Sequence, residues 1–256
     1  MKITIITVAY NSALTIADTL RSVGAQSHPE IEHLVIDGAS KDDTLAVVQR
    51  GGAHVSRVVC EPDAGIYDAM NKGLRIATGD LVGFLNADDV LADAHAIGRL
   101  AAAADRTGAD AVFSDLVYVS ADNLDRVIRH WRSGPFSRKR LRYGWMPPHP
   151  TFYVKRARLA DLGEFDTRLR IAADYDFMLR CLGRTDISVA YVPEVMVRMR
   201  TGGASNRSLR ALWQKSREDL GALRRSGVGG LGTLVCKNLR KLPQFFARGS
   251  MDAGAT

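Results

Sequence analysis

The sequence predicts an α/β fold: a mostly parallel central sheet flanked by helices, followed by a C-terminal helical appendage. Three observations carry that expectation. Strand-like and helix-like segments alternate through residues 3–89, polar residues fall directly after the strands at Asn11, Asp37, Asp63 and Asp88, and beyond residue 204 the apolar positions keep only a helical spacing. Alternation of this kind builds a parallel sheet covered on both faces, and right-handed crossovers bring the strand ends to one edge. In open α/β sheets that C-terminal edge is where ligands bind, so polar groups far apart in sequence can converge there.

Strands are expected at Ile3 to Val8, His33 to Ile36, Val55 to Val59 and Leu81 to Leu85, all rich in aliphatic and β-branched residues. Helices are expected between them at Ala13 to Gly24, Asp43 to Arg50 and Tyr67 to Ala77. A Pro/Gly turn enters the last of these, and Thr78-Gly79-Asp80 resets the chain into the fourth strand. After Asp89 the pattern loosens. A helix is expected from Val90 to Leu100, within an alanine-rich run that reaches Ala104. A strand follows from Ala111 to Val119, then an extended piece from Arg126 to Trp131 and a basic, aromatic connector from Arg138 to Trp145. Thr151 to Val154 is strand-like, and Asp174 to Leu182 reads as a helix with Phe177, Met178 and Cys181 as its apolar stripe. Thr201 to Asn206 has the composition of a flexible loop. Beyond it Leu209, Leu212, Trp213, Leu220 and Leu223 repeat at helical spacing, and a second apolar and basic stretch runs from Leu231 to Phe246, broken by Pro243.

A chain of 256 residues that is 46% hydrophobic and 25% charged has the balance of a soluble globular protein with a sizeable core. No apolar run approaches the roughly 18 residues that span a bilayer, and Met1-Lys2-Ile3 leads directly into a strand, so the protein is expected in the cytoplasm. Cys60, Cys181 and Cys236 lack metal-ligand spacing and are expected to be reduced, with Cys60 and Cys181 packed in apolar surroundings. The net charge of +7 lies in the tail: residues 205–256 hold ten basic and three acidic residues, and the preceding 204 hold 25 of each sign. No nucleic-acid partner is expected.

The most informative stretch is Asp80-Leu81-Val82-Gly83-Phe84-Leu85-Asn86-Ala87-Asp88-Asp89, a short apolar run that ends in an amide and two carboxylates. Carboxylate and carbonyl oxygens suit Mg²⁺ or Mn²⁺, and Mg²⁺ usually takes only one or two protein carboxylates and leaves its other positions to water and phosphates. The alternative is that Asp89 simply N-caps the following helix.

The order and spacing of these segments resemble the family 2 glycosyltransferases of the GT-A fold that build bacterial surface polysaccharides. The likeness runs through Thr7-Val8-Ala9-Tyr10-Asn11, Leu34-Val35-Ile36-Asp37-Gly38, Glu61-Pro62-Asp63-Ala64-Gly65, the Asn86 to Asp89 cluster, Pro148-His149-Pro150, Gly163-Glu164-Phe165-Asp166 and Ala173-Asp174-Tyr175-Asp176. It implies a catalytic domain over 1–204, with a nucleotide-sugar half at 1–89 and an acceptor half at 90–204, and a basic amphipathic extension at 205–256. It also implies an inverting enzyme that uses a divalent metal, Mg²⁺ or Mn²⁺, and a nucleotide sugar, a UDP-sugar above others. The acceptor would be a glycan or a polyprenyl-diphosphate-linked sugar.

By resemblance, Asp88 is the main metal ligand, while Asn86 stands where many relatives carry Asp, and Ala87 lies between them. Asp37 matches the nucleobase-reading position, although an Asp-Gly turn alone would also account for it. Thr7, Ala9, Tyr10 and Asn11 match the segment that lines the nucleotide pocket, and Asp63, Asn71 and Lys72 are candidates for base or phosphate contacts. Lys72 could equally be a solvated surface residue. Asp174 matches the general base, and an N-cap is its structural alternative. His149 and Asp176 are candidates on the acceptor side. The relatives' late Arg-x-His segment reads here Arg198-Met199-Arg200, without the histidine, and Gly202-Gly203 suggests a closing loop.

Two rivals remain at this level. A sugar-phosphate nucleotidyltransferase would carry a Gly-rich basic loop after its first strand, where this chain has Ala9-Tyr10-Asn11-Ser12; a dehydrogenase fails likewise for want of G-x-G-x-x-G. A catalytically inactive glycan-binding or scaffold homologue is supported only by Asn86. The tail reads either as an amphipathic segment that holds the protein at the cytoplasmic face of an anionic membrane or as a helix pair packed on the body or a second copy.

Overall fold

The structure, a computed structural model, describes residues 1–202 and 209–239. The expected alternation is present. β1 (Ile3–Ala9), β2 (Ile31–Asp37), β3 (Val55–Cys60) and β4 (Leu81–Phe84) are parallel, in spatial order β3-β2-β1-β4. Between them run α1 (Ile16–Gly24), α2 (Thr44–Gly51) and α3 (Ile66–Ile76). All seven residues of β1 are buried, as a central strand covered on both faces requires. Its side chains alternate, with Ile3 and Ile5 in one apolar cluster and Ile6 and Val8 in another. Register pairs Ala9 with Asp37 and Asp37 with Cys60, so the strand exits lie side by side.

The sheet continues beyond β4 with mixed pairing, through β8 (Tyr153–Lys155), β6 (Ala111–Val119), β9 (Val189–Arg200) and β5 (Val90–Leu91), and β7 (Val127–Trp131) adds to β6. Two features differ from expectation. Val90 and Leu91 do not begin a helix: both are buried and pair antiparallel with Arg198 and Val197, and α4 starts only at Ala96 (Ala96–Thr107). Asp89 therefore caps nothing. The twelve-residue β9 carries Pro193, which removes a backbone donor and argues against a central strand. The irregularity between Ser114–Val192 and Asp115–Val195 absorbs Pro193-Glu194 outside the ladder, and pairing resumes beyond it.

The second half adds the short helices α5 (Arg138–Leu141) and α6 (Arg156–Leu162), then α7 (Ala173–Leu182), which follows the loop carrying Phe165. The tail helices α8 (Leu209–Arg225) and α9 (Leu231–Leu239) lie against the body: Ala222, Leu223 and Leu234 join the same apolar cluster as Tyr67 of α3 and Phe177 of α7. At Gly144, where φ is +73°, a Cβ would stand 2.4 Å from the Lys237 Cα, so only glycine admits α9 at this point of the basic connector. The expected boundary at 204/205, most of the Thr201 to Asn206 loop, and Leu242, Pro243, Phe245 and Phe246 lie outside the described residues. Cys181 is buried as expected, whereas Cys60 is exposed and donates its thiol to Asp37 Oδ2 at 3.2 Å.

His33, fully buried in β2, stacks on His54 with ring centroids 5.3 Å apart and shares a hydrogen bond with the Thr7 hydroxyl. Burial, reinforced by the His54 charge, lowers its pKa to about 3. An unfolded histidine titrates near 6.5, so as pH falls below that value the unfolded chain takes up the proton first. Stability is then lost at about 1.4 kcal/mol per pH unit, down to the folded pKa. Burial disfavours the charges of Glu32 and Asp110, but their hydrogen bonds outweigh it and hold those carboxyls at about 2, so their contribution starts to fall only as the pH enters the ordinary carboxylate range, below about 5. Denaturant midpoints are therefore expected to be flat from pH 8 to 7 and to fall between pH 6.5 and 4.5. A His33→Gln variant should lessen the fall in that window without abolishing it, because burial also lowers the pKa of His149, His54 and His130; an unchanged slope would remove His33 as a cause.

Candidate active site

The exits of β1, β2 and β3 form one shelf. Tyr10 is 60% exposed just past β1. Asn11 takes a left-handed conformation (φ 49°) that lets its side-chain oxygen accept from the Lys41 amide at 2.8 Å while its own amide donates to Ser40 Oγ. Gly38 forms the floor: a Cβ there would meet Asp63 Oδ2 at 2.3 Å and the Tyr10 ring at 3.4 Å. Asp63 Oδ1 accepts from the Gly65 amide, and Oδ2 has no hydrogen bond among the described residues. An exposed ring, a bare backbone floor and an open carboxylate oxygen thus meet at one spot, chemistry that suits a flat heterocycle with an N–H to donate.

Asp37 sits beneath that shelf. It is 0% exposed, and its carboxylate accepts from the Ser40 amide at 2.9 Å, Ser40 Oγ at 2.5 Å and Cys60 Sγ. Its oxygens are already engaged, and the open carboxylate beside Tyr10 is that of Asp63.

Past β4 the chain presents Asn86, Ala87 and Asp88. Ala87 is buried. The Asp88 carboxylate accepts no hydrogen bond from another described residue, and burial raises its pKa, opposed by its own backbone amide and by the Arg200 charge. Asn86 Nδ2 donates to Asp89 Oδ2 at 3.2 Å, which leaves Asn86 Oδ1 buried and without a partner. A bare carboxylate and an orphaned amide oxygen, two residues apart, are hard oxygen donors that fit a divalent ion whose remaining ligands come from water and a diphosphate. No group of three or more His, Cys, Asp or Glu side chains gathers around such an ion among the described residues.

Asp89 is fully buried, and burial first, then the Asp88 charge, raises its pKa well above the ordinary carboxylate value. Arg200 closes the back of this cluster. Its amide donates to Asp89 Oδ1 at 3.2 Å, its Nη1 to the Asp88 carbonyl at 2.7 Å, and its Nη2 pairs with Asp18 of α1. The position that lacks the relatives' histidine therefore bears a fixed cation.

On the other flank, Asp174 opens α7. Its Oδ1 accepts from Tyr67 Oη at 3.2 Å and from the Tyr175 amide at 2.8 Å, while Oδ2 has no hydrogen bond among the described residues. Aromatic contacts tie this carboxylate to the β4 exit. Tyr67 stacks on Phe165 at 5.9 Å, Phe165 meets Phe84 of β4 edge-on at 5.3 Å, and Phe84 stacks on His149 at 5.4 Å. His149 is close enough to Asp174 to feel its charge: burial lowers the imidazole pKa and Asp174 pulls it back up.

Several of the expected residues are engaged within the protein. The Thr7 hydroxyl is buried against His33, and the Ala9 carbonyl accepts from the Gly38 amide. Asn71 is 2% exposed and exchanges two hydrogen bonds with the Phe165 backbone, at 2.9 and 2.8 Å, so it anchors the aromatic loop. Lys72 Nζ is spent on the Pro62 carbonyl at 2.7 Å and Glu61 at 3.0 Å, bracing the turn that carries Asp63. Asp176 is buried between Arg180 and Arg225 and belongs to the packing of α7 against α8. Tyr67, Phe165 and Arg200 contribute to the site without having been singled out. The one signal for Tyr67 was its place in the first turn of α3, directly after the Asp63 turn.

Comparison with known proteins gives one answer. The family model for glycosyl transferase family 2 matches residues 4–160. A PGL/p-HBAD biosynthesis glycosyltransferase of Mycobacterium tuberculosis is 30% identical over 201 residues, covering 77% of this chain and 76% of that protein. Among solved structures, Staphylococcus aureus TarS 1-349 in complex with UDP-GlcNAc superposes with a TM-score of 0.69 at 21% identity, over 89% of this chain and 66% of that one. The chain spans 43% of the longer TarS structure. The mannosyltransferase PcManGT from Pyrobaculum calidifontis in complex with GDP-Man and Mn²⁺ superposes at 0.65 with 20% identity, over 96% of this chain and 73% of that one.

Proposed function

Because the chain belongs to glycosyl transferase family 2 and has the GT-A fold, we propose that it is an inverting, divalent-metal-assisted enzyme that moves a sugar from a nucleoside diphosphate donor, a UDP-sugar, to a hydroxyl of a glycan or lipid-linked acceptor in surface polysaccharide synthesis. The observation that carries the reading is the pair of carboxylates with open oxygens, Asp88 and Asp174, joined to the β4 exit through Phe84, Phe165 and Tyr67. The TarS and PcManGT complexes, with UDP-GlcNAc and with GDP-Man and Mn²⁺, support a nucleotide sugar and a divalent ion at such a site.

The chain's own residues then divide the work. Tyr10, Gly38 and Asp63 receive the base. Asp88 and Asn86 would hold the divalent ion, which supplies Lewis-acid stabilisation to the departing diphosphate. The acceptor oxygen attacks the anomeric carbon from the face opposite the diphosphate; as the new C–O bond forms and the old one breaks, the hydroxyl proton passes to Asp174 Oδ2. Tyr67 fixes the other oxygen, so the open lone pairs keep one orientation, and proximity of this kind is what general-base catalysis requires. The retained open carboxylates oppose an inactive scaffold.

No described helix is long and apolar enough to cross a membrane. The basic tail nevertheless exposes Trp213, Leu231, Val235 and Leu239, which suits contact with an anionic leaflet beside a lipid-linked acceptor. Nucleoside diphosphate release across a panel of UDP-, GDP- and dTDP-sugars, with and without anionic liposomes that carry crude lipid acceptor, tests the whole reading. UDP release that rises with acceptor and with liposomes is expected. Release from no donor of the panel would return the scaffold reading, and indifference to liposomes would remove the membrane contact alone.

A further inference from the structure

Helix α7 carries Asp174, and the turn that leads into it is held from outside. Its N-cap is Ala172, with no side-chain hydrogen bond, and the amides at a helix start need acceptors. The Tyr175 amide goes to Asp174 Oδ1, and the Ala172 amide goes to the tail. Glu218 of α8 takes three consecutive amides, Arg170 at 3.2 Å on Oε1 and Ile171 and Ala172 at 2.9 and 3.0 Å on Oε2. Gln214 Nε2 holds the same Oε1 at 2.9 Å. Burial disfavours the Glu218 charge, but the amides and Gln214 outweigh it and keep its pKa below the ordinary glutamate value. Ala172 lies two residues before Asp174.

The next contacts reinforce the clamp. Lys237 of α9 stands 3.2 Å above the Tyr175 ring and pairs with Asp219 at 2.7 Å, and Arg225 pairs with Asp176 at 2.8 Å. Residues on both sides of Asp174 are thus fixed by α8 and α9. We infer that Glu218 is a positioning residue for transfer: by holding the turn that leads into α7 it sets where the Asp174 carboxylate stands relative to the acceptor, so the C-terminal helices are part of the catalytic apparatus. The inference rests on Asp174 being the general base.

The test uses the full-length protein and four variants, Glu218→Ala, Glu218→Gln, Asp174→Asn and the double Glu218→Ala/Asp174→Asn, with Leu223→Ala as a tail-destabilising comparator that leaves the Glu218 carboxylate in place. Rates are normalised to the number of donor sites counted by calorimetry with UDP. Displacement of a reacting group by about 1 Å costs on the order of a hundredfold. Glu218→Ala is therefore expected to lower kcat per site ten- to a hundredfold with the donor Kd within twofold. Glu218→Gln, which keeps an acceptor oxygen for Ile171 and Ala172, should recover most of that loss. Leu223→Ala should hold kcat per site within twofold, and the double variant should be no slower than Asp174→Asn. A kcat per site unchanged in both Glu218 variants would overturn the inference, as would a loss that multiplies with that of Asp174→Asn, since either assigns Glu218 to stability or to another step. If Asp174→Asn is itself fully active, the general-base assignment fails first, and the inference with it. If Glu218→Ala does not fold, Glu218→Gln carries the same comparison: a kcat per site below wild type supports the inference when the double Glu218→Gln/Asp174→Asn is no slower than Asp174→Asn, and a kcat per site equal to wild type overturns it.

Discussion

Asp88→Asn is expected to lower acceptor-dependent transfer by at least a hundredfold and to abolish its stimulation by Mn²⁺, without loss of fold. The first part follows from charge. A metal-held diphosphate is stabilised by several kcal/mol in the transition state, and each 1.36 kcal/mol is a factor of ten in rate. An amide leaves the neutral Asn86 oxygen and removes the bare carboxylate, the stronger of the two donors. The second part follows from what Asp88 does not do. Its carboxylate accepts no hydrogen bond from another described residue, and burial disfavours its charge. Replacing an unpaired, partly buried carboxylate by its neutral isostere removes a desolvation penalty, so the thermal midpoint should hold or rise slightly. Rate at saturating Mn²⁺, Mn²⁺ binding by calorimetry and thermal unfolding together check it. Equal turnover of variant and wild type at saturating Mn²⁺ would overturn Asp88 as a metal ligand.

In the parallel half of the sheet β1, β2 and β4 were legible because they are buried on both faces, which writes them as largely apolar runs with a polar residue at or just past their ends, whereas β3, at the sheet edge, is mostly exposed. Length hid β5, which has only two residues, and Pro193 hid β9 until the bulge that absorbs it was visible. At the site, motif position located the neighbourhood but not the direction of each side chain. Asn71 lies on the same face of α3 as Tyr67, Met70 and Leu74, all buried, so helical periodicity turns it toward Phe165. Asp37 and Asp63 both follow strands, and only three-dimensional packing shows that Ser40 and Cys60 occupy the first while an oxygen of the second stays open above Gly38. Glu218 had no local signal, since its amide partners lie 46 to 48 residues earlier in the chain.

Asp174→Asn is expected to cost 10²- to 10⁴-fold in transfer, the usual range for a general base, while donor affinity stays within about twofold. Asparagine keeps an oxygen that can accept from Tyr67 and the Tyr175 amide, as Oδ1 does at 3.2 and 2.8 Å. The N-terminus of α7 should therefore survive the substitution, with Glu218 still holding the three amides before it. What is lost is the open Oδ2, replaced by an amide group that can donate but cannot take a proton from the acceptor hydroxyl. The donor shelf at Tyr10, Gly38 and Asp63 belongs to other elements, so UDP binding by calorimetry separates chemistry from binding. Tyr67→Phe supplies the graded case. It removes the hydroxyl that orients Asp174 while preserving the ring stacked on Phe165, and a loss smaller than that of Asp174→Asn, again without change in donor affinity, is expected. A collapse of UDP binding in Asp174→Asn would move this carboxylate from the acceptor to the donor side. A fully active Asp174→Asn would mean that the proton leaves by another group, and His149, which stands within reach of the Asp174 charge, would be the next to replace.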